Sequence, residues 1–325
     1  MAAAAPPGHG LAHRNVKVCD APRPGDAACH AVRHDTVTPD GQVTPNVTPA
    51  GYGPSDLQSA YKLPSAAGSK PTVAIVDAYD DPRAESDLGV YRRQFGLTAC
   101  TTANGCFRKV NQSGGTRYPR ANSGWAQEIS LDLDMVSAAC PNCKILLVEA
   151  SSASLIDLGT AVNQAARMGA TVISNSYGGS ESSSDLSYDK TYFNHPGVAI
   201  TASSGDNGYG VEYSAASPDV TAVGGTSLTK SASTPRGWDE TVWSGAGSGC
   251  SAYDLKRARQ TDTGCSKRTV ADVSAVADPN TGVAVYDSYG SSGWLVFGGT
   301  SVAARLIASV YALAGNASDI NASNP

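Results

Sequence analysis

Gly293-Trp294-Leu295-Val296-Phe297-Gly298-Gly299-Thr300-Ser301-Val302-Ala303-Ala304 runs from an apolar strand through two glycines into a segment of helical character that reaches about Leu313. Adjacent glycines permit a tight turn with positive φ, and a serine in the first helical turn lies beside free backbone N–H groups that stabilise negative charge. Ser301 is thus placed either as a nucleophile or as an ordinary helix cap, and the turn alone does not choose.

Upstream, the strand-then-helix unit repeats. Thr72-Val-Ala-Ile-Val-Asp77 is a short apolar run of the kind a strand buried on both faces shows, and Arg83 to Phe95 is amphipathic at helical spacing. Glu128 to Ala139 reads as helix, Lys144 to Glu149 as strand, Leu155 to Met168 as helix, and Thr171 to Ser176 and Val198 to Ser203 as strands. Val220 to Val223 adds a further strand, and Val283 to Tyr286 with Leu295 to Phe297 suggests a hairpin leading to Ser301. The alternation predicts an α/β fold, a mostly parallel sheet with helices on both faces. The chain divides into residues 1–50, rich in Ala, Pro, Thr and His without sustained periodicity, which read as an irregular arm, and residues 51–325, which form the main domain, entered by a short helix near Gly51 to Tyr61.

With 325 residues, 34 glycines and 16% charged residues, the chain has the composition of one compact enzyme-sized domain. A net charge of −5 gives no electrostatic footprint for nucleic acid or an anionic membrane. No apolar run approaches the roughly 20 residues of a membrane span, and Met1 to Ala5 is followed by Pro6-Pro7 without a hydrophobic signal core. The eight cysteines fall into four local pairs, Cys19 and Cys29, Cys100 and Cys106, Cys140 and Cys143, and Cys250 and Cys265, which suggests disulfides and an extracellular setting. Cys140-Pro-Asn-Cys143 is open to a redox or zinc reading, but no second close Cys pair or nearby His completes a metal set.

Loops at the carboxyl ends of strands in such a sheet build sites. Three are unusual here: Ser174-Asn175-Ser176-Tyr177-Gly178-Gly179, Ser203-Ser204-Gly205-Asp206-Asn207-Gly208, and the Ser301 turn. The second lacks the lysine of a P-loop and the spacing of a dinucleotide fingerprint, which argues against nucleotide. A serine nucleophile needs a proton acceptor. Of the five histidines, His9, His13, His30 and His34 lie in the arm and His195 precedes a proline, so all read as exposed polar residues. Glu128 and Asp132 stand four apart on a predicted helix and share a stripe with apolar residues; two carboxylates held together share a proton, which raises the upper apparent pKa toward that of a usable base.

These motifs together resemble the sedolisin, or serine-carboxyl, peptidases, which have a subtilisin-like fold and use Glu and Asp where subtilisins use His and Asp. The resemblance covers about Gly51 to Leu313 and rests on Glu128-x-x-x-Asp132 followed by Cys140-Pro-Asn-Cys143-Lys-Ile, on Ser204-Gly205-Asp206, on Ser217-Pro218 through Thr226, on Asp272-Val-Ser-Ala-Val-Ala-Asp278-Pro, and on Gly298-Gly-Thr-Ser301. It implies Ser301 as nucleophile, Glu128 as general base and then acid, Asp132 as the group orienting Glu128, and Asp206 as the oxyanion partner, which donates only when protonated. Ser176-Tyr177-Gly178 is implied as the strand that hydrogen-bonds substrate backbone. A secreted, monomeric endopeptidase acting on proteins or peptides at acidic pH is the resulting expectation, with a catalytically impaired homologue that binds without cleaving as the alternative.

The chain departs from the family pattern in three places. Arg305 and Ala271 stand where proline is usual, and Arg305 is expected to lower the pKa of Glu128. The family's C-terminal calcium loop has no counterpart beyond Asp319-Ile320, so no metal ligands and no cofactor are assigned.

Overall fold

The computed structural model of the chain describes residues 11–64 and 70–319. Along the chain, β1 (Ala12–Lys17), β2 (Ala28–Cys29) and β3 (Val32–Val37) precede α1 (Pro54–Tyr61). There follow β4 (Thr72–Ala78), α2 (Ala84–Gln94), β5 (Phe107–Asn111), α3 (Ser123–Ala139), β6 (Lys144–Ala150), α4 (Leu155–Arg167), β7 (Val172–Asn175) and β8 (Tyr177–Ser180). Then come α5 (Asp185–Tyr188), β9 (Ala199–Ser203), β10 (Glu212–Tyr213), β11 (Thr221–Lys230), β12 (Trp238–Val242), β13 (Gly249–Cys250), β14 (Thr269–Val270), β15 (Val273–Val276), β16 (Val283–Asp287), β17 (Gly293–Gly298) and α6 (Thr300–Ala314).

The central sheet has the order β12-β11-β9-β7-β4-β6-β5, with β15 also paired to β11. Every pairing in it is parallel except that of β11 with β12. Strand β4 shows why helices must cover both faces. Its alternating side chains sort cleanly: Ala74, Val76 and Ala78 pack with Leu158, Ala161, Val162 and Ala165 of α4, whereas Val73 and Ile75 pack with Leu88 of α2, Ile129, Leu133 and Val136 of α3, and Ala308 and Ala312 of α6. A strand with two buried faces reads as a continuous apolar run rather than as an alternation, and truncating Ile75 to alanine in such a core costs about 2–5 kcal/mol.

The strands and helices expected from the sequence are present, with ends shifted by a few residues. Helix α3 begins earlier than Glu128 because Asn122 caps it, its side chain accepting from Gly124 and Trp125 N–H groups. The polar edge strand β5, with two exposed or half-exposed charges in five residues, carries no apolar run. The four local cysteine pairs are disulfides.

In its described part, the stretch 1–50, expected to be an irregular arm, instead forms strands. β1 pairs antiparallel with β3, and β3 with β17, giving a second sheet of order β1-β3-β17-β16. β2 pairs antiparallel with β8. Val32 and Val37 of β3 are buried, so the segment is held by apolar packing as well as by backbone hydrogen bonds. The Met1–Ala5 stretch, His9 and Ile320 lie outside the described residues.

Candidate active site

Helix α3 runs through the core rather than along the surface: fifteen of its seventeen residues are buried. Its carboxylates are therefore removed from water, and each must find a partner or hold a proton. Asp134 accepts the backbone N–H of Tyr286 at 2.9 Å. Glu128 and Asp132, one turn apart, point toward the start of α6 and the carboxyl end of β4, where Asp77 is also fully buried.

Ser301 is the second residue of α6, after Gly299, whose φ of 97° and place at the helix N-cap require glycine. The hydroxyl lies beside Glu128 and favours its ionised form, although neither Glu128 oxygen nor Ser301 Oγ makes a hydrogen bond of ordinary geometry. Asp132 Oδ1 accepts from Ser176 Oγ at 3.2 Å, and its other oxygen accepts from Arg305 Nη2. The same guanidinium lies 3.7 Å from Asp77, and both residues are fully buried.

Burial, then Asp132 and Asp77, pushes the Glu128 carboxyl well above the usual carboxylate range; Ser301 and Arg305 pull it back only in part. The lowering expected from Arg305 is thus outweighed by desolvation and two neighbouring acids. Asp77 is likewise raised, by burial first and then by Asp132, against the opposing pull of Arg305. Glu128, Asp132, Asp77 and Arg305 thus form one buried cluster of three carboxyl groups and a guanidinium.

Asp206 stands on the far side of the serine turn. Its Oδ1 accepts from the backbone N–H of Thr300 at 2.7 Å and from Thr300 Oγ1 at 2.9 Å, while Oδ2 is buried without a hydrogen-bond partner. Burial raises its pKa, with His30 and the Thr300 bonds opposing. A protonated Oδ2 there is a free donor beside the serine turn.

His30 corrects the expectation that all five histidines are exposed polar residues. It is 4% exposed, with Nδ1 2.6 Å from Ser203 Oγ and Nε2 2.9 Å from Glu212 Oε2. Burial opposes its charging, but Glu212 and Asp206 overcome that and raise its pKa, while Glu212 is held below its ordinary value despite its own burial. His30 does not touch the Ser301–Glu128 pair; its partners are the Ser203 and Glu212 side chains. The sequence reading also missed Asp77, whose signal was present: an acid ending an apolar parallel strand sits where such sheets build sites.

The implied substrate strand is occupied by the chain itself. Ala28 and Cys29 pair with Gly178 and Tyr177, and His30 N–H donates to Ser176 O at 3.1 Å. The His30 carbonyl then packs against the serine turn so closely that a Cβ on Gly299 would lie 1.9 Å from it. Beyond, Val32 pairs with Gly298. The Tyr177 side chain turns inward, its hydroxyl donating to Asn175 Oδ1 at 2.8 Å.

The calcium that the resemblance implies finds no fit near Asp319, an exposed residue in the short 3-10 turn Ala317–Asp319 and the only carboxylate among the described residues after α6. Calcium takes about six to eight oxygens.

The parallel sheet, the glycine turn into α6 and a buried serine–carboxylate cluster together define a subtilisin-like α/β fold. The chain belongs to the subtilase family, whose sequence profile matches residues 112–324. It is 30% identical over 305 residues to kumamolisin from Bacillus sp. (strain MN-32), covering 82% of this chain and 52% of kumamolisin, so the chain spans about half the length of that relative. The fold is similar to that of Pseudomonas sedolisin, a serine-carboxyl proteinase complexed with two molecules of pseudo-iodotyrostatin, with a TM-score of 0.70 and 24% identity over 84% of this chain and 83% of that one. The sedolisin-like, subtilisin-fold reading of the motifs is borne out. Among the described residues, no helix is long and apolar enough to cross a membrane.

Proposed function

We propose that the chain is a secreted, monomeric serine-carboxyl endopeptidase that hydrolyses protein or peptide substrates at acidic pH. The observation that carries the reading is the placement of Ser301 at the start of α6 beside the buried, proton-rich Glu128. In this reading Glu128, ionised, takes the Ser301 proton as the hydroxyl attacks the scissile carbonyl, and then returns it to the leaving amine. Asp132, held by Ser176 and Arg305, orients Glu128. Asp206, protonated, donates to the oxyanion of the tetrahedral intermediate, and the backbone N–H groups at the start of α6 add to that field. The rate then needs Glu128 ionised and Asp206 protonated, which defines a bell-shaped pH profile.

Ser176-Tyr177-Gly178 would bind substrate backbone by the antiparallel pairing that Ala28 and Cys29 now make, so residues 27–31 must leave that strand before a substrate enters. That occupancy, together with the Arg305 guanidinium held on Asp132, favours the alternative, a homologue that binds but does not cleave. Incubating the chain and its Ser301→Ala variant with an unfolded protein from acidic to neutral pH separates the two. Turnover by the parent alone is expected; equal turnover by the variant, or none by the parent after proteolytic removal of residues 11–31, overturns the reading.

A further inference from the structure

Away from the serine cluster, a second group of acids converges at the end of the same strand. Glu181 follows β8 directly, Asp185 opens α5, and Asp254 lies in the loop closed by the Cys250–Cys265 disulfide. One carboxylate oxygen from each of the three lies within 4.8 Å of the others. Acids gather on many surfaces without consequence, but this group is not on the surface: Asp185 and Asp254 are fully buried and Glu181 is half-buried.

Asp254 is the decisive residue. Neither of its carboxylate oxygens has a hydrogen-bond partner, although burying an unpaired carboxylate costs several kcal/mol unless a proton or cation neutralises it. The other two are already aimed. Glu181 accepts from Ser251 Oγ and, at 3.1 Å, from Ala252 N–H; Asp185 accepts from Ser182 N–H at 2.7 Å and Ser182 Oγ at 3.1 Å. Those bonds fix orientation and leave lone pairs free, since each carboxylate offers about four acceptor sites. Asp189, bonded to the Tyr213 hydroxyl at 3.0 Å, adds a fourth negative group against Asp254.

We propose that Glu181, Asp185 and Asp254 form a calcium site that ties the end of β8 to the Cys250–Cys265 loop. The donor set is all oxygen and anionic, which selects a hard cation over zinc or copper. Oxygens that close together can share one ion, since two ligands at about 2.4 Å from calcium stand at most about 4.8 Å apart. Three carboxylates give up to six oxygens in an irregular array, which calcium accepts and magnesium, with its strict octahedron, does not. The site is independent of the serine chemistry and of any C-terminal calcium loop. Its bound ion would hold the segment leading out of Ser176-Tyr177-Gly178 at a fixed place.

The test is thermal unfolding of the full chain, carrying Ser301→Ala to prevent self-digestion, after chelation and then with increasing calcium or magnesium chloride at pH 7.5. A saturable rise in Tm with calcium, far smaller with magnesium, is expected; calcium at 100 times its Kd raises the folded-to-unfolded ratio about 100-fold. Titration calorimetry should give one site. Asp254→Asn should abolish the response while leaving the chelated protein at least as stable as its parent, because a buried charge is removed. A full calcium response in Asp254→Asn places the ion elsewhere and overturns the proposal. No response in the parent also overturns it, and a magnesium response equal to that of calcium overturns the choice of ion.

Discussion

Replacing Asp287 with asparagine should make the protein more stable at neutral pH and leave it unchanged near pH 4. Asp287 ends β16, fully buried, with one oxygen accepting from Ser130 Oγ at 3.2 Å and the other from Ser291 Oγ. Burial pushes its carboxyl from 3.8 up to about 6; the Ser291 and Ser130 bonds oppose the shift and Asp87 adds to it. The folded state therefore keeps a proton between about pH 4 and pH 6 that the unfolded chain releases. Stability from this group is complete below the unfolded pKa, falls as pH rises through the window by about 1.4 kcal/mol per pH unit, and is flat above the folded pKa. The two-unit shift integrates to about 3 kcal/mol lost by pH 7. Asparagine supplies the donor and acceptor of the protonated acid at every pH. Denaturant unfolding of Asp287→Asn and its parent, both carrying Ser301→Ala with disulfides intact, should give equal free energies at pH 4 and a gain of about 2–3 kcal/mol for the variant at pH 7. A variant no more stable than its parent at pH 7 would show that Asp287 is ionised there without penalty. The same sign holds for Asp81, pushed up to about 7 mainly by burial, so the parent should itself weaken from acidic to neutral pH.

Glu128→Gln and Asp132→Asn should each lower kcat/KM by orders of magnitude, and the double variant little further, because a cluster that shares protons fails as a unit; multiplicative losses in a two-by-two kinetic cycle would argue for separate roles. Asp206→Asn should retain a larger share of its own maximal rate at neutral pH than the parent does, since an amide donates at every pH whereas the acid must be protonated. Superimposable pH–rate profiles would remove Asp206 from the oxyanion role.

What the sequence disclosed and what it concealed differ by range. The buried parallel strands were legible because burial on two faces leaves an uninterrupted apolar signature, as in Thr72–Ala78, and α4 because its apolar stripe repeats at helical spacing. Glu128 and Asp132 were legible as a pair by their spacing of four, although their complete burial depends on α6 and β4 packing over α3. The pairings of the N-terminal segment were not legible. β2 has two residues, and its partner β8 lies about 150 positions downstream, so no local pattern records the contact. His30 was misread for the same reason: its burial is conferred by Ser203 and Glu212, residues no window around position 30 contains. Arg305 was visible as a departure, but its pairing with both Asp132 and Asp77 required three elements in space.

If substrate binds along Ser176-Tyr177-Gly178 as proposed, the pairing of Ala28 and Cys29 with Tyr177 and Gly178 makes the chain its own competitor. A tethered ligand acts at an effective concentration set by its linker, in the millimolar range for a short flexible one, whatever the amount of protein in the tube. Any peptide offered from solution must displace it, so each apparent dissociation constant exceeds the intrinsic one by the same factor, one plus the ratio of that effective concentration to the segment's own dissociation constant. Ligands ranked on the full chain keep their order while all look weak, and dilution, which separates two molecules, does nothing to separate these two parts of one.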